Sequence, residues 1–497
     1  MTLDLSLTRD LLTALLPELM LTGWALVLLV VVAWRHRTGG DLRVAGGIAL
    51  AAFATTAAVV WWLWWNSAAA QGYAPMIAVD DFRFISDWLF LGTGALTVLL
   101  SMRYLEREAL LAPEYYVLLL FSVLGMMLMG GGSDLMVVFL GLELMSVSVY
   151  VLAGINRKSP KAAEAALKYF LLGAFASAFL LYGIALVYGA TGTTNLALIG
   201  AQVTSLHLEH GTLLLIGLAL LLVGFAFKVA AVPFHMWAPD VYDGAPTPVT
   251  GFMATAVKAA AFAALFRVLG QAFATTVAWH QIVSALAVAT MVSGNLVALA
   301  QRSLKRMLAY SSIAHAGYVL IGIVAGTSRG ITATLVYLFI YAFMQLGAFA
   351  VIVGLRRADV AGEELKDFGG LHARNPFAAF AMLLFMLSLG GIPPTAGFMG
   401  KFWLFSAAID AHYNWLAVIG VLNSAVSLYY YVRIVVFMYV KKEALGSEPA
   451  TSPTLAVVLG VAVAATLVLG VYPRLLFELA DASARTLGAA GVTTSLR

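Results

Sequence analysis

The sequence predicts an all-α integral membrane protein with about fourteen transmembrane helices, arranged as two inverted five-helix repeats in which helices 7 and 12 are broken. Three observations support this fold class. Charged residues make up only 11% of the 497 residues, against roughly 25% in a soluble domain, and hydrophobic residues make up 62%. Apolar runs of about 20 residues, long enough to cross a ~30 Å hydrocarbon core, recur along the chain. Two of these runs contain proline-rich interruptions.

The composition also excludes several functions. The net charge is +4 without a basic block, so nothing supports nucleic-acid binding. The chain has no cysteine, which removes disulfides, thiolate zinc sites and Cys-ligated iron–sulfur clusters. No nucleophile–base pair, phosphate-binding loop or metal cluster is recognisable. Any redox chemistry is therefore expected in other chains.

The apolar runs define the expected transmembrane helices in order. The first run begins near Leu11 and lacks the basic region and cleavage site of a signal peptide, so it is predicted to be a retained span. The longest connections are too short for a separate soluble domain. The fourteen runs lie at 11–33, 44–65, 84–102, 114–130, 134–154, 164–189, 211–238, 248–270, 278–300, 307–326, 331–355, 376–408, 413–439 and 453–474.

Two of the runs contain sequences that cannot continue a regular helix. One surrounds Pro233, between Lys228 and Asp240, and the other contains Gly-Gly-Ile-Pro-Pro, between Leu389 and Lys401. Proline removes a backbone donor, and in lipid the freed groups must face protein or water. The breaks lie five spans apart, a pattern typical of transporters built from two repeats.

This pattern predicts four regions. They are an N-terminal three-helix region (1–110), a first repeat of helices 4–8 (111–275), a second repeat of helices 9–13 (276–445), and helix 14 with a tail (446–497).

Basic residues predict the orientation in the membrane. Loops after odd-numbered spans contain 17 Lys or Arg residues, whereas loops after even-numbered spans contain 2, Arg83 and Arg329. The odd loops are therefore predicted to face the cytoplasm. Both termini should then lie on the outer, periplasmic side of the cell inner (plasma) membrane.

Ionisable groups deep in the apolar runs are candidates for function, since each costs about 2.5–3.5 kcal/mol at mid-bilayer. Glu143 is interpreted as an ion-pair partner or proton carrier, or as half of a structural pair that fixes helix register. Lys228 would switch its proton affinity as a nearby carboxylate moves, unless it snorkels to the interface. Small neighbours leave room for water around Lys258, which favours a functional role. The alternative interpretation of Lys258 is again a structural ion pair. Lys401 lies at mid-depth, unless the break is a re-entrant turn and Lys401 is a loop residue.

Further candidates are less deeply placed. Lys168 lies about one turn inside its span. His235, seven residues after Lys228, and His315 are interpreted as proton relays near neutral pH, with a satisfied core histidine as the alternative. Arg267 is expected to snorkel to the interface. Glu18 and Asp87 lie in spans one and three and receive no role.

Four motifs carry a family resemblance over nearly the whole chain. They lie at Leu167–Ser177, Phe227–Tyr242, Ala309–Tyr318 and, most specifically, Gly391–Phe402. In these motifs the chain resembles the subunit N family of proton-pumping NADH:quinone oxidoreductase, respiratory complex I (the subunit-2 family in mitochondria).

The resemblance implies roles for the buried charges. Glu143 would pair with Lys228, Lys258 would be the central relay, and Lys401 would exchange protons with the outer side. A proton would enter from the cytoplasm near Lys228. In the related subunit M family a glutamate usually stands where Lys401 stands here. The subunit L family carries a long C-terminal lateral helix, and none is expected after Arg497.

The resemblance also implies the chemical context. This chain should hold no cofactor, while NAD, FMN, iron–sulfur clusters and quinone belong to partner subunits. The expected partners are the antiporter-like subunit M, small subunits of the A, J and K type, and the lipid bilayer.

Two other classes stay open at this point. A subunit of a multi-subunit sodium/proton antiporter fits the intramembrane charges equally well, and the stretch from Thr395 to Phe402 discriminates against it. A non-transporting structural subunit is the third class, although four deep charges would be a costly scaffold.

Overall fold

The structure is a computed structural model that describes residues 5–38, 44–66, 76–110, 112–276, 278–356, 362–441 and 452–493. Within those ranges the chain forms helices and turns without a β-strand. Three of the basic residues counted for orientation, Arg43, Arg357 and Lys442, lie outside the described residues.

Thirteen helices in the described ranges are long and apolar enough to cross a bilayer, which confirms the all-helical membrane class. The remaining predicted span, the twelfth at 376–408, is split into two helices of 15 residues each, α17 (Pro376–Gly390) and α18 (Ala396–Asp410). The division into two inverted repeats, and the four regions drawn from it, stay predictions.

The helices follow the apolar runs closely. A π-helical turn (Met253–Val257) joins the helices Thr247–Phe252 and Lys258–Ala272, and a 3₁₀ turn (Leu365–Phe368) precedes the helix Leu371–Arg374. The helices are α1 (Leu5–Ala14), α2 (Leu16–Thr38), α3 (Val44–Trp65), α4 (Asp81–Arg107), α5 (Glu114–Gly131), α6 (Leu135–Ala153), α7 (Pro160–Thr191), α8 (Leu196–Ser205), α9 (Thr212–Val229), α10 (Trp237–Gly244), α11 (Thr247–Phe252), α12 (Lys258–Ala272), α13 (Ala278–Leu299), α14 (Leu304–Ala325), α15 (Ser328–Leu355), α16 (Leu371–Arg374), α17 (Pro376–Gly390), α18 (Ala396–Asp410), α19 (Asn414–Tyr439), α20 (Pro453–Val471) and α21 (Arg474–Thr493).

The core lies around the α11–α12 segment, α14 and α15. These helices are almost entirely buried inside the bundle, whereas α2, α7, α19 and α20 each leave a broad apolar face exposed. A helix that is apolar all round is stable only when protein or lipid covers every side. The candidate Lys258 on α12 and its partner on α14 therefore lie in the best-covered part of the protein.

Both predicted breaks occur, and each has a local cause. Helix α9 ends where Ala230 adopts a left-handed conformation (φ 58°), and Pro233 follows in the turn. Helix α17 ends at Gly391, which has φ 82° and therefore suits a residue without Cβ. Trp237 Nε1 donates to the freed carbonyl of Phe227 at 3.0 Å. The freed carbonyls at the end of α17 are bound by Lys401.

One buried ion pair joins the N-terminal region to the rest of the bundle, and a second lies within that region. Arg267 donates to both carboxylate oxygens of Asp80 at 2.7 and 2.9 Å, and its side chain is fully buried. Arg83 donates to Glu18 at 2.7 Å. The expectation that Arg267 snorkels is therefore wrong, because a buried carboxylate satisfies it inside the protein.

The second break depends on a very close approach of α18 to α17. A Cβ on Gly397 would lie 1.8 Å from the backbone oxygen of Ser388, and Gly397 N donates to Ser388 Oγ at 2.9 Å. We therefore expect Gly397→Ala to destabilise the fold by about 1–3 kcal/mol, because backbone atoms must separate. Thermal unfolding of the purified complex measures the loss.

The matched control for that substitution is Gly460→Ala in α20, where no atom lies within 4 Å of the new Cβ. Alanine is favoured over glycine inside a helix, so this variant should be as stable as the parent or slightly more stable. Equal stability of the Gly397 and Gly460 variants would show that the close approach at Ser388 is unimportant.

Candidate functional site

Lys228 is held by two hydroxyl groups near the end of α9. Its side chain is 1% exposed, and Nζ donates to Ser146 Oγ at 2.6 Å and to Tyr150 OH at 3.0 Å, both from α6. Nζ also lies 5.1 Å from the ring centroid of Tyr150 and 5.9 Å from that of Tyr169. Aromatic faces stabilise a cation without removing its proton. Among the described residues the ammonium group therefore has hydrogen-bond partners but no carboxylate within 4.0 Å.

Glu143 lies on α6, one turn before Ser146, and is half-buried. Its Oε1 accepts a hydrogen bond from Ser177 Oγ on α7. Glu143 and Lys228 are not within 4.0 Å of each other. Glu143 binds Ser177 on α7, whereas Lys228 binds Ser146 and Tyr150 on α6. The structure thus brings these two groups to one helix without closing the ion pair that the family resemblance implies.

Lys258 begins α12, directly after the π-helical turn, and is 3% exposed. Its Nζ donates to Ser312 O at 2.8 Å and to Ser312 Oγ at 2.6 Å on α14. A π-helical turn changes the direction of the side chains that follow it and is frequent at functional sites. Here the residue after the turn is the lysine that points at α14.

His315 lies one turn beyond Ser312 on α14 and is also buried. Its two ring nitrogens share hydrogen bonds with Tyr337 OH and, at 3.0 Å, with Tyr431 OH. The Tyr431 hydroxyl is also hydrogen-bonded to Ser311. The imidazole is therefore fully engaged on both sides, as a relay or a satisfied core histidine would be.

Lys401 lies one turn into α18, at 3% exposure. Its Nζ donates to the carbonyls of Leu389 (2.9 Å) and Gly390 (3.2 Å) and to Ser424 Oγ (2.8 Å). Because the last carbonyls of a helix carry partial negative charge, the end of α17 stabilises the ammonium group. The ring of Tyr318, one turn beyond His315 on α14, lies 4.8 Å from Nζ. Helix α14 therefore contacts both Lys258 and Lys401.

Lys168 and His235 lie apart from this buried line. Lys168 is 42% exposed and forms ion pairs with Glu164 (2.7 Å) and Asp240 (2.8 Å), and Arg306 binds the second oxygen of Asp240. The hydrogen bond from Lys168 helps to hold the pKa of Asp240 below its usual value. His235 lies half-buried in the turn after α9, and its Nδ1 has no partner within the described structure.

No group of three or more His, Cys, Asp or Glu residues in the described ranges is arranged to hold a metal ion. The buried Lys228, Lys258 and Lys401 bind hydroxyls and carbonyls instead.

Comparison with known proteins identifies the family of this chain. Residues 132–427 match the family "NADH:quinone oxidoreductase/Mrp antiporter, TM". The NADH-quinone oxidoreductase subunit N of Trichlorobacter lovleyi is 50% identical over 418 residues, which cover 84% of this chain and 86% of that protein. The chain belongs to the NADH-quinone oxidoreductase subunit N family. The resemblance seen in the four motifs is thereby confirmed.

Solved structures agree with the subunit N family. A chain of respiratory complex I from Thermus thermophilus superposes with a TM-score of 0.79 at 35% identity, covering 94% of this chain and 99% of that one. A chain of the Mrp complex from Dietzia sp. has a TM-score of 0.82 at 24% identity, covering 97% and 99%. The second likeness shows a shared fold alone, so the sequence favours subunit N over the antiporter alternative.

For a subunit N family member, sequence reasoning found the charges and missed most of their partners. Ser177 and Ser312 lie inside two of the four motifs and could have been found there. The other partners are serine and tyrosine residues in ordinary apolar runs, where nothing local marks them. They are Ser146, Tyr150, Tyr337, Ser424 and Tyr431.

Proposed function

We propose that this chain is the N-type membrane subunit of an NADH:quinone oxidoreductase and that it translocates protons through a line of buried lysines. One observation carries the proposal. Lys228, Lys258 and Lys401 are each 1–3% exposed, and none has a carboxylate oxygen within 4.0 Å in the described structure. A charged side chain buried in a membrane span without a counter-ion is costly to maintain, which makes each of these lysines a candidate for function.

Each of these lysines has at least one hydroxyl partner, which suits both protonation states. A serine or tyrosine hydroxyl accepts a hydrogen bond from an ammonium group and can donate one to a neutral amine. A salt bridge would hold the proton in place. Hydroxyl partners therefore allow the lysine to exchange a proton without breaking its surroundings.

The second half of the route follows α14. Ser312 binds Lys258, His315 follows one turn later, and Tyr318 lies against Lys401. Tyr431, which lies on α19, is hydrogen-bonded to both His315 and Ser311 of α14. This line of polar side chains supports transfer from Lys258 to Lys401 by way of His315.

The first half of the route needs water. Between Lys228 and Lys258 stand Tyr169, Trp237 and Tyr242, and the Tyr242 ring lies 6.0 Å from Lys258 Nζ. The buried hydroxyl of Tyr242 finds no partner in the described protein. Since buried polar atoms are normally hydrogen-bonded, we assign water as its partner and as the carrier along this segment.

The direction of transport rests on the distribution of basic residues. The protein lies in the plasma membrane with its odd-numbered loops in the cytoplasm and both termini outside. Protons then enter near Glu143 and Lys228 and leave by Lys401. NADH oxidation and quinone reduction in other subunits, which hold NAD, FMN, iron–sulfur clusters and quinone, supply the energy. Neighbours are the antiporter-like subunit M and small subunits of the A, J and K type.

The test is proton transport by complexes that carry Lys228→Ala or Lys401→Ala. Each variant should assemble and lose most NADH-driven acidification of inverted membrane vesicles, because the remaining route lacks a proton acceptor. A pH-sensitive dye reports acidification, and NADH oxidation is recorded in parallel. Lys366→Ala is the matched control, since this lysine is 58% exposed and pairs only with Glu364.

Wild-type proton transport per NADH in both variants would overturn the proposed route. Sodium-dependent transport by a purified chain that brings no NADH-oxidising partners with it would instead favour the antiporter alternative. Purification of the tagged chain in mild detergent, with mass spectrometry and an NADH:quinone assay of the eluate, distinguishes these cases before any substitution is made.

A further inference from the structure

Five ionisable side chains near the start of α4 form a cluster that the lysine route does not use. The cluster contains three carboxyls and two guanidinium groups, and no member is more than 15% exposed. Arginine keeps its charge in proteins, so ionisation of all five groups would leave a net negative charge in a buried site. The members of this acid-rich cluster are Glu18, Asp80, Arg83, Asp87 and Arg267.

Two of the three carboxyls are matched with one arginine each. Arg83 Nη2 lies 2.7 Å from both oxygens of Glu18. Arg267 binds both oxygens of Asp80, which also accepts a hydrogen bond from the backbone N of Arg83 at 2.8 Å. These short bonds are the geometry of ionised pairs.

Asp87 has no such partner. Its side chain is fully buried, and neither oxygen accepts a hydrogen bond within the described structure. The nearest positive group is Arg83, whose Nε lies 3.6 Å from Oδ2, too far for a good hydrogen bond. Burying an ionised carboxylate without donors is very costly, and such a group becomes neutral by taking up a proton.

We propose that Asp87 is a proton-binding site, separate from the lysine route, that carries one proton in the native protein. The cluster has more carboxyls than arginines, and no group donates a hydrogen bond to Asp87. Both facts point to a neutral Asp87 carboxyl. The proton is the ligand that fits, because any other cation would lie beside the guanidinium of Arg83.

The helices around Asp87 bring no further compensating charge. The charges that act on it are those of Arg83, Glu18, Asp80 and Arg267. Helices α3, α11 and α20 contact α4 and contain no ionisable side chain. Lys258 of α12 binds Ser312, and Arg329 of α15 pairs with Asp410. The remaining ionisable residues of α5, α15 and α21 fall into three groups. Those of α5 lie at its far end, those of α15 lie around His315, and those of α21 form exposed ion pairs. The groups are Glu114, Tyr115 and Tyr116; Tyr337 and Tyr341; and Arg474, Glu478, Asp481 and Arg485.

A pair of amide substitutions in the purified, assembled complex tests this proposal. Asp87→Asn replaces a neutral carboxyl by a neutral group of the same shape, so the melting temperature and NADH:quinone activity at neutral pH should not change. Glu18→Gln makes the same chemical change at a carboxylate that faces Arg83, and should lower the melting temperature by several degrees. Intrinsic fluorescence during heating reports both.

The pH dependence supplies an independent readout. If native Asp87 holds a proton that the unfolded chain has released, the parent protein should lose stability relative to Asp87→Asn as pH rises. The proposal is overturned if Asp87→Asn fails to assemble, or loses as much stability as Glu18→Gln at neutral pH. A difference between parent and Asp87→Asn that is constant from mildly acidic to alkaline pH also overturns it.

Discussion

Complexes that carry Lys258→Met should assemble and lose NADH-driven proton transport by about an order of magnitude or more, the scale on which loss of a proton-transfer group acts. Methionine fills nearly the same volume and has no proton to exchange. On the proposed route, it also leaves Ser312, and through it His315, without the group that would pass protons between the two halves. The measurement is acidification of inverted vesicles per NADH oxidised, with assembly checked on native gels.

Lys258→Arg separates a proton relay from a fixed positive charge. The guanidinium group keeps the charge near Ser312 but does not release its proton at physiological pH. We therefore expect the arginine variant to assemble and to fail in transport, as the methionine variant does. Normal transport with arginine and none with methionine would assign Lys258 a purely electrostatic role. Normal transport in both variants would remove it from the route.

The span boundaries were predictable where the apolar run itself ends. The predicted run 44–65 coincides with α3 (Val44–Trp65), because Arg43 and Asn66 flank a continuous apolar stretch. The run 211–238 was predicted as one interrupted span, but α9 stops at Val229. Hydropathy continues through Ala230 and Val232, so only the backbone conformation reveals where the helix ends.

The final helix, α21, was not predicted as a helix and was treated as part of the tail. Its charged residues lie on one exposed face in pairs such as Arg474–Glu478, while residues such as Ala480 and Leu487 are buried. An amphipathic helix of this kind has low mean hydropathy, so a search for apolar runs passes over it.

The buried lysines were predictable because a charge inside an apolar run is conspicuous in one sequence. Their partners were not, since each pair joins distant parts of the chain. Lys228 and Ser146 are 82 residues apart, and Lys258 and Ser312 are 54 apart. Serine and tyrosine are also unremarkable in membrane helices, so only the folded structure, in which the lysine side chains reach Ser146 on α6 and Ser312 on α14, identifies them.

The Asp80–Arg267 pair shows the same limit at a larger separation, 187 residues. Because Arg267 lies near the end of its span, the sequence predicted that its side chain reaches the membrane–water interface. Its guanidinium is instead enclosed, donates to Gly130 O at 3.0 Å and lies 5.1 Å from the ring of Phe82. A single carboxylate therefore neutralises a charge that holds α12 against the start of α4.

Asp80→Asn should destabilise the protein by about 3–5 kcal/mol, because it leaves the guanidinium of Arg267 buried without a counter-ion. Burial alone would raise the pKa of Asp80, but the charge and hydrogen bonds of Arg267 outweigh burial, so its pKa lies below the usual value. The stabilisation is thus present above the unfolded pKa of about 3.9 and is lost as pH falls through the lower folded pKa. Thermal unfolding of the purified complex measures both effects.

Asp481→Asn is the matched control, because Asp481 pairs with the 77% exposed Arg485 on the surface of α21. Loss of an exposed pair within one helix costs only about 0.3–0.5 kcal/mol. We therefore expect the Asp80 variant to unfold at a clearly lower temperature than the Asp481 variant at neutral pH. We also expect the difference between the Asp80 variant and the parent to shrink in acid. Equal stability of the two variants would mean that water reaches Arg267 and that the N-terminal region is held to α12 by apolar packing alone.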